Sequence, residues 1–365
     1  MKKLGIDARL YRQTGVGVYI RNLLYYLEKY IPDTITVFVY LKEEDFNTVE
    51  FSARHFIKRK AEYQWHTFEE QFGFLKTILR DDLDLMHFTY FSYPVLYFKP
   101  FISTIHDLTP YLFKTGRSST KGSFLYGMKH FFFGRVLRAQ VAKAHAIITP
   151  TRVIKNQIIK HFGKRFENKI YPIPEGVSEE IKKVRENTNL KQQFRKDFFV
   201  YIGNFYPHKN VEKLIRAYLL MKEDVDLVLA GPDDFFTKRI ETLIEELGLE
   251  NRVLLYKNPN LEDLVFFYKH ARALMNPSLS EGFGLTTLEA AYFKLPIIAS
   301  NIEVFQEVLG ENYLSFNPND EKDIAATIFS FLKHQPRSDY SFLKNYSFDV
   351  MTKETVELYK THLRV

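Results

Sequence analysis

The sequence predicts an α/β protein of two doubly wound domains, each a parallel sheet covered by helices. Short runs rich in β-branched and aromatic residues alternate with helix-length stretches from one end of the chain to the other, which is typical of parallel sheets. The alternation stops once, at a proline-rich segment, and then starts again. A chain of 365 residues with 45% apolar residues is long enough to build two hydrophobic cores.

The first half of the chain supplies one complete unit. A strand candidate at 3–7 is followed by a helix at 16–30, which is entered through the sequence TGVG. The remaining strand candidates of this half are 35–41, 85–88, 101–105 and 146–149. Together these elements predict one doubly wound sheet.

A break in regular structure separates the two halves. The sequence YPIPEGV at 171–177 and the charged run that follows it to residue 196 disfavour helix and strand alike. We therefore predict domains at 1–172 and 173–347. The strand candidates of the second domain are 198–203, 225–230, 252–256, 273–275 and 296–299. The last helix, within 348–365, has no strand left to cover there, so we expect it to pack back on the first domain.

Charge and composition limit the class of protein. Residues 1–175 carry 27 Lys and Arg against 16 Asp and Glu, a net charge of +11, whereas the remainder carries 24 against 28, a net charge of −4. The basic half suits an anionic partner such as phosphate or acidic lipid, and a solvated basic face is the alternative. The chain has no cysteine, which excludes disulfides and thiolate metal sites. No apolar run reaches about 20 residues, so we expect a soluble cytosolic protein.

The most informative segment is 277–290, PSLSEGFGLTTLEA, between a strand and a helix. Glycines allow a ligand to approach the backbone closely, and the N-terminus of a helix offers unbonded amides to phosphate oxygens. Glu281 and Glu289 lie eight residues apart and can each accept hydrogen bonds from hydroxyl groups. The segment therefore predicts a site for a sugar joined to a ribose by a diphosphate.

This segment resembles the EGFGLPxLEA motif of the family 4 retaining glycosyltransferases, with Thr286 where proline is common. The resemblance implies the GT-B fold, in which two Rossmann-like domains have the active site in the cleft between them. It also implies that Glu281 contacts the hydroxyls of the transferred sugar and that Glu289 binds the ribose. The positions expected to contact the sugar and diphosphate from the loop and the first helical turn are Gly282, Phe283, Gly284, Leu285 and Thr286.

A second segment, YIGNFYPHKN at 201–210, places a lysine between a strand and the next helix. An ammonium group there can neutralise a departing diphosphate. The family pattern assigns this role to Lys209, with Gly203 beside the donor. The family often has an arginine as well, but Asn204 and His208 occupy the positions where it would stand. Donor binding is therefore expected to depend more on Lys209 and on backbone amides.

The first half contributes a histidine and a glycine-bearing loop. His106 directly follows a strand in the sequence TIHDLTP, and the family's histidine at this position approaches the donor sugar. We therefore expect three catalytic residues, His106, Lys209 and Glu281. The loop that contains Gly15 and Gly17 is expected to face the diphosphate and the acceptor.

Three further positions have less specific interpretations. The nucleotide base is expected near Tyr256 and Lys257, at the end of a strand. Asp7 and Arg9, in an opening that resembles a bacterial branch rich in mannosyltransferases, border the acceptor pocket or form a structural ion pair, and the second interpretation is favoured. The sequence DLD at 82–84 is interpreted as a solvated turn. No metal ion and no cofactor other than the donor are expected.

These observations predict a metal-independent, retaining glycosyltransferase that moves a hexose from a nucleotide diphosphate sugar to a hydroxyl of a glycan or lipid-linked acceptor in polysaccharide synthesis. GDP-mannose is the expected donor, and a UDP-hexose is the alternative. A GT-B-type epimerase or phosphorylase stays open, as does a basic membrane- or nucleic-acid-binding protein with a degenerate sugar site. For the enzyme, no nucleic acid partner is expected.

A peripheral membrane contact is a further alternative. An anionic surface, such as the inner face of the cytoplasmic membrane, could bind the helical stretch 123–143 together with the basic residues Arg54 and 58–60. We interpret 123–143 instead as a core helix with a solvated basic face.

Overall fold

The computed structural model describes residues 1–112, 123–335 and 339–365, and only the backbone of 123–131. The described chain divides into two compact units. One consists of Met1–Glu175 and Tyr346–Val365, and the other of Gly176–Asn345. The first division therefore lies three residues after the boundary that the sequence predicts at 172/173.

The first unit is built on a sheet of seven parallel strands in the order β3-β2-β1-β4-β5-β6-β7. The strands are β1 (Lys2–Asp7), β2 (Ile35–Leu41), β3 (Phe56–Lys60), β4 (Leu85–Phe88), β5 (Phe101–Thr104), β6 (Ala146–Thr149) and β7 (Ile170–Pro172). The helices are α1 (Val16–Tyr30), α2 (Glu43–Thr48), α3 (Leu75–Arg80), α4 (Thr109–Leu112), α5 (Ser123–Lys143) and α6 (Arg152–Phe162). A π-helical turn, Glu70–Phe74, runs directly into α3.

The second unit has a sheet of six parallel strands in the order β10-β9-β8-β11-β12-β13. The strands are β8 (Phe198–Ile202), β9 (Asp226–Gly231), β10 (Val253–Lys257), β11 (Leu274–Asn276), β12 (Ile297–Ser300) and β13 (Leu314–Phe316). The helices are α7 (Glu179–Lys183), α8 (Leu190–Gln193), α9 (Val211–Leu219), α10 (Phe235–Glu246), α11 (Leu261–His270), α12 (Leu285–Tyr292), α13 (Glu303–Leu309) and α14 (Glu321–Lys333). The predicted fold class, two parallel-sheet α/β domains, is confirmed.

The central strands are largely buried and mostly apolar because helices cover both faces of each sheet. Every residue of β8 is buried, and its Phe199 and Tyr201 belong to a core that α9, α10 and α14 complete. Three strands escaped prediction, and all lie at sheet edges or beside them. β3 is half-exposed and has the basic sequence FIKRK, whereas β7 and β13 are only three residues long.

The strand order places one switch point in each sheet. β1 pairs with β2 on one side and with β4 on the other, and β8 pairs in the same way with β9 and β11. The chain leaves the two neighbouring strands towards opposite sides of the sheet, which opens a crevice at their carboxyl ends. Residues directly after β1, β4, β8 and β11 are therefore placed to bind ligands.

The final helix, α15 (Phe348–Leu363), belongs to the first unit and packs along α1. Its Tyr359 is fully buried, and the hydroxyl lies 2.5 Å from Nδ1 of His87 on β4. The other ring nitrogen of His87 lies 2.7 Å from the Thr104 hydroxyl, which in turn lies 3.0 Å from the Tyr19 hydroxyl on α1. Burial, and then the charge of His106, lower the pKa of His87 to about 3. A neutral imidazole thus links three elements of the unit.

The basic residues that suggested a membrane contact are largely paired within the first unit. Lys58 Nζ lies 3.1 Å from a Glu50 oxygen, and Arg59 Nε lies 2.8 Å from an Asp81 oxygen. Lys60 likewise pairs with an acidic residue of α2. For the helix at 123–143, which the sequence predicts as a core helix with membrane binding as the alternative, the side chains of 123–131 lie outside the described residues. Among the described residues, no helix is both long enough and apolar enough to cross a bilayer.

We predict that Tyr359→Ala lowers the free energy of unfolding by about 3–5 kcal/mol, because it removes a fully buried ring. Tyr359→Phe keeps the ring but leaves His87 Nδ1 without its partner, so we expect a loss of about 1–3 kcal/mol. Denaturant unfolding measures both values. Glu354→Ala, on the exposed face of the same helix, should change stability by less than about 0.5 kcal/mol, and equal effects for Glu354 and Tyr359 would contradict this account.

Candidate functional site

A buried ion pair joins the loops that follow β8 and β11. Lys209 Nζ lies 2.8 Å and 2.9 Å from the two carboxylate oxygens of Glu281. The side chains are only 19% and 11% exposed. Ser278 Oγ donates a further hydrogen bond of 2.7 Å to Glu281. The two residues that the sequence predicts as catalytic in this unit are therefore in direct contact at its switch point.

The turn that carries Lys209 is fixed to the loop that carries Glu281. Pro207–Lys209 form a 3₁₀ turn that ends at Asn210, which has the left-handed φ of 58°. The Asn210 side-chain amide donates to the carbonyls of Pro277, at 3.1 Å, and Pro318, at 2.8 Å. The amide of Leu279 donates to the His208 carbonyl at 2.8 Å. These bonds hold the two loops in register, so that the lysine and the glutamate meet.

The ion pair decides the protonation state of Glu281. Burial by itself would raise the pKa of this carboxyl, but the charge and hydrogen bonds of Lys209, with smaller contributions from Ser278 and His208, lower it below its usual value. Glu281 is therefore a carboxylate at neutral pH. Its charge is largely compensated, which makes it a good hydrogen-bond acceptor and a weak nucleophile.

The predicted glycine-bearing loop leads into α12 as expected for an anion-binding turn. Gly284 is the N-cap, with the left-handed φ of 87°. A Cβ at this position would lie 2.7 Å from the ring of Phe305, so a larger residue does not fit without movement. Phe283 is buried, whereas Gly282 is half-exposed. Leu285 and Thr286 form the first turn of the helix, where amides have no carbonyl of the same helix to bond and the dipole favours an anion.

Glu289 lies on α12, one turn beyond these amides, and is 9% exposed. Burial raises the pKa of its carboxyl to about 7, although the hydrogen bond from Tyr268 acts in the opposite direction. The Tyr268 hydroxyl donates to Glu289 Oε2 at 2.7 Å. Glu289 is therefore a buried acid that exchanges its proton near neutral pH.

The predicted glycine after β8, Gly203, lies close to the backbone at the end of the neighbouring strand β9. Gly203 has a φ of 153°, and its carbonyl would lie 2.3 Å from a Cβ added to Gly231 at the end of β9. Asn204, the next residue, accepts a hydrogen bond at its carbonyl from the buried Tyr201 hydroxyl. His208 is half-buried on the Lys209 turn, where its charge acts on Glu281. All four predicted positions of the segment therefore lie in the loop after β8 that also carries the lysine of the ion pair.

Tyr256 and Lys257 lie apart from this cluster. They end β10, the edge strand, which is two strands away from β8. Lys257 Nζ lies 2.5 Å from Glu241 and 3.5 Å from Asp233, so its charge is compensated by acids of the same unit. The Tyr256 ring packs edge-on against Phe267. These two positions were expected beside the nucleotide base rather than the diphosphate, and that expectation stays a prediction.

His106 lies in the first unit, after β5, and is 8% exposed. Its Nδ1 lies 3.0 Å from a Glu175 carboxylate oxygen, and its Nε2 lies 3.0 Å from the carbonyl oxygen of Thr89. A carbonyl only accepts hydrogen bonds, so Nε2 carries a proton. The ring of Tyr19 packs edge-on at 4.8 Å between centroids. The imidazole is thus oriented from three sides within its own unit.

The loop after β1 holds the other predicted positions of the first unit. Gly15 is the N-cap of α1, with the left-handed φ of 67°. A Cβ on Gly17 would lie 2.6 Å from the Tyr11 carbonyl oxygen, which requires glycine there. The loop therefore turns tightly above the carboxyl end of β1.

Asp7 and Arg9 form a buried ion pair, with Arg9 Nη2 2.7 Å from Asp7 and 2.8 Å from Glu70. The guanidinium also lies 3.8 Å from the centre of the Phe74 ring. The cavity beside the pair has a volume of about 10 Å³, which is enough for about one water molecule. This geometry corresponds to a structural ion pair, the favoured interpretation.

The DLD sequence at 82–84 forms a turn. Asp82 has the left-handed φ of 49° and pairs with Lys99, and Asp84 accepts a hydrogen bond from the amide of Lys3 at 2.8 Å. In the parts of the chain that the structure describes, no group of three or more His, Asp or Glu side chains has the arrangement of a metal site.

Three contacts of the predicted residues were not foreseen. Ser278 is three residues before Glu281 in the same loop, so it could have been found from its spacing. Glu175 lies in the YPIPEGV segment, which the sequence predicts only as a break between the two domains. Tyr268 gives no signal in the sequence, because it reaches Glu289 from the preceding helix, 21 residues earlier.

Comparisons with known proteins agree with this architecture. A family model described as Glycosyltransferase Family 4 matches residues 13–181, and one described as Glycosyl transferases group 1 matches 175–346. Among solved structures, sucrose-phosphate synthase from Thermosynechococcus elongatus is similar, with a TM-score of 0.72, 19% identity and coverage of 100% of this chain and 97% of that one. Anabaena HepE in complex with UDP and glucose has a TM-score of 0.75 at 16% identity, over 99% of this chain and all of that one.

Two curated relatives are bacterial. The O-antigen chain mannosyltransferase RfbU of Salmonella typhimurium is 25% identical over 62% of this chain, and the O-antigen chain mannosyltransferase B of Escherichia coli is 30% identical over 45%. The matches span 59% and 45% of these relatives' own lengths. The two family models together account for residues 13–346, one for each sheet. The chain therefore belongs to the family 4 glycosyltransferases, which have the GT-B fold.

Proposed function

We propose that this glycosyltransferase transfers a hexose, with retention of anomeric configuration, from a nucleotide diphosphate sugar to a hydroxyl of a glycan or lipid-linked acceptor in surface polysaccharide synthesis. The observation that carries the proposal is the Lys209–Glu281 pair beside the N-terminus of α12. The names of the two O-antigen mannosyltransferases support mannose as the sugar, and we propose GDP-mannose as the donor.

The hydrogen-bonding capacity of the ion pair suits a sugar diphosphate. An ammonium has three N–H donors, and Lys209 uses two of them on Glu281. The third donor is available for a phosphate oxygen, next to the amides of Leu285 and Thr286. Glu281 Oε2 accepts only from Lys209 among the described contacts, so it keeps a lone pair for a sugar hydroxyl.

These groups would stabilise the leaving group rather than attack the sugar. As the bond between the anomeric carbon and the diphosphate breaks, negative charge grows on the phosphate oxygens. We propose that Lys209 and the amides of Leu285 and Thr286 stabilise this charge and that no metal ion is required. Glu281 is too well compensated to act as a nucleophile. We therefore propose attack by the acceptor hydroxyl on the face that the diphosphate leaves, with the diphosphate taking the acceptor proton.

His106 is proposed to contact the donor sugar from the first unit. Because Glu175 and Thr89 engage its two ring nitrogens, the orientation of the ring is fixed before substrate binds. The loop glycines and polar residues that the sequence predicts are proposed as further donor contacts, namely Gly15, Gly17, Gly203, Asn204, His208, Gly282, Phe283 and Gly284. Tyr256 and Lys257 are proposed to lie beside the nucleotide base.

The Lys209 assignment predicts a specific loss of activity. Lys209→Met and Glu281→Gln should each lower transfer from GDP-mannose by about 10²–10³-fold, because each removes a preorganised polar contact to the transition state. Lys213→Met, one helical turn further on and paired with Glu321, is the matched control and should be unaffected. Release of GDP in the presence of acceptor measures the rate, and unchanged rates in the two site variants would refute the assignment.

The donor is tested by ligand-dependent thermal shifts. A ligand that binds only the folded state raises the melting temperature, so GDP should raise it more than UDP or ADP at equal concentration. Lys209→Met should abolish the shift. A larger shift with UDP would indicate that the donor is a UDP-hexose and not GDP-mannose. Conversion of a nucleotide sugar without any acceptor would indicate an epimerase.

Glu289 is proposed to bind the ribose of the donor. Its raised pKa means that the buried carboxylate is destabilised relative to the unfolded chain, in which the ordinary value of 4.5 applies. The contribution of Glu289 to the free energy of unfolding is therefore most favourable below pH 4.5. It is lost as the pH rises towards 7. A ribose hydroxyl that donates to the carboxylate would compensate part of this loss.

We expect Glu289→Gln to gain stability relative to the wild type as the pH rises from 5 to 8, by up to about 3 kcal/mol. The amide keeps an acceptor for Tyr268 but has no proton to lose. Denaturant unfolding at the two pH values measures the difference, and Glu245→Gln, on the exposed face of α10, controls for a change in net charge. A constant difference between wild type and Glu289→Gln would show that Glu289 does not titrate in this range.

A further inference from the structure

The helical segment 68–80 of the first unit has an exposed apolar face. We define the apolar stripe as Phe68, Phe72, Leu75 and Leu79, which recur at helical spacing. Phe68 is 85% exposed, Phe72 63% and Leu79 45%, and Leu75 is half-buried. Single exposed apolar residues are ordinary, but a stripe of four along one face indicates a surface that is covered in use.

The opposite face of the same segment is firmly anchored. Glu70 and Phe74 are completely buried, and Ile78 is 1% exposed. Glu70 accepts hydrogen bonds from Arg9 at 2.8 Å and from Ser92 at 2.6 Å. The apolar stripe therefore does not result from a loosely packed helix, because the buried face fixes its orientation.

A neighbouring loop adds to the exposed apolar surface. The side-chain amide of Gln71 donates to the Tyr93 carbonyl at 3.1 Å and accepts from the Val95 amide at 2.9 Å. The loop held in this way carries Leu96, 50% exposed, and Phe98, 74% exposed. Two independent chain segments thus present large apolar side chains beside each other.

Basic residues flank this surface. Lys76 and Arg80 border a shallow groove formed with Phe72, Leu75 and Leu79. Both are exposed, and neither has an ion-pair partner among the described residues. Lys143, from the end of α5, lies 4.5 Å over the Phe98 ring.

The nearby acids leave the surface positive. Glu69 is exposed on the same helical segment, and Asp82 pairs with Lys99. Three basic residues therefore face one uncompensated acid. A second copy of this chain would bring like charges together, which disfavours self-association through this face.

We propose that the apolar stripe, with Lys76 and Arg80, is a contact surface for an anionic lipid bilayer. Exposed Phe and Leu can enter the boundary between headgroups and acyl chains, while Lys and Arg stay at the level of the phosphates. An acidic bilayer satisfies both the apolar and the basic part of the surface, whereas a purely apolar partner would leave the charges without partners.

The apolar stripe lies close to the carboxyl end of β1, so a bilayer bound to the stripe would lie near that strand end. The segment that carries the apolar stripe outwards carries Glu70 inwards, to Arg9 at the carboxyl end of β1. A bilayer on the stripe would lie about one helix diameter, ~10 Å, from that strand end. This geometry suits the lipid-linked acceptor class proposed above, but membrane binding itself does not depend on sugar transfer.

Co-flotation of the full chain with vesicles tests the surface. We expect the protein to float with vesicles of phosphatidylcholine that contain roughly 30 mol% phosphatidylglycerol, which makes their surface anionic. We do not expect it to float with vesicles of pure phosphatidylcholine. Lys76→Glu with Arg80→Glu should lower the partition coefficient at least about tenfold, because each basic residue near such a surface contributes roughly fivefold. Phe68→Ser with Phe72→Ser should separately lower it by a similar factor, because binding scales with the apolar area that enters the bilayer.

Matched variants separate the surface from net charge and total hydrophobicity. Lys160→Glu with Lys164→Glu makes the same charge change elsewhere in the first unit, and Leu219→Ser with Leu220→Ser removes exposed leucines of the second unit. Both should float like the wild type, and thermal unfolding verifies that all variants fold.

Equal flotation of the stripe variants and their controls would overturn the proposal, as would absence of wild-type binding to anionic vesicles. A stripe variant that changes only the oligomeric state would instead make this face a protein interface, and the proposal would be wrong.

Discussion

The buried salt bridge between Lys209 and Glu281 is the interaction on which the second unit's site depends. Two charges that are this little exposed are tolerated only when each compensates the other, and removal of one from such a pair typically costs about 3–5 kcal/mol. The surrounding structure keeps them together: the left-handed Asn210 links its turn to two carbonyls across the site, and Ser278 completes the shell of Glu281. The parallel pairing of β8 with β11 brings the two loops to the same edge. Sheet order, turn geometry and electrostatics therefore determine one local arrangement.

The polar groups at the strand ends of the two units differ in how completely they are satisfied. In the first unit, Arg9 is held by Asp7 and Glu70, and both ring nitrogens of His106 have partners. These groups orient the backbone and one another. In the second unit, the amides of Leu285 and Thr286 and one donor of Lys209 have no partner among the described contacts. Because of this difference in hydrogen-bonding capacity, we propose that the second unit binds the charged part of the donor.

Much of the fold and the centre of the site could be predicted from the sequence because their signals are local. Buried central strands are continuous apolar runs, and the motif at 281–289 carries its glycines, acids and helix start in nine consecutive residues. Edge strands such as β3 escaped because half-exposed, basic strands lack that apolar signal. Contacts between distant residues also escaped: neither the Tyr268 bond to Glu289 nor the Glu175 bond to His106 has a spacing that reveals it. The same holds for Lys257, whose partners on α10 and after β9 are set by the sheet order.

A crystal structure with bound nucleotide tests the central claim most directly, because it locates the diphosphate rather than inferring its position from activity. Crystals soaked with GDP should show phosphate oxygens within about 3 Å of Lys209 Nζ and of the Leu285 and Thr286 amides, with a ribose hydroxyl on Glu289. Density for the nucleotide at another place, with the turn before α12 unoccupied in the same crystal, would contradict the account.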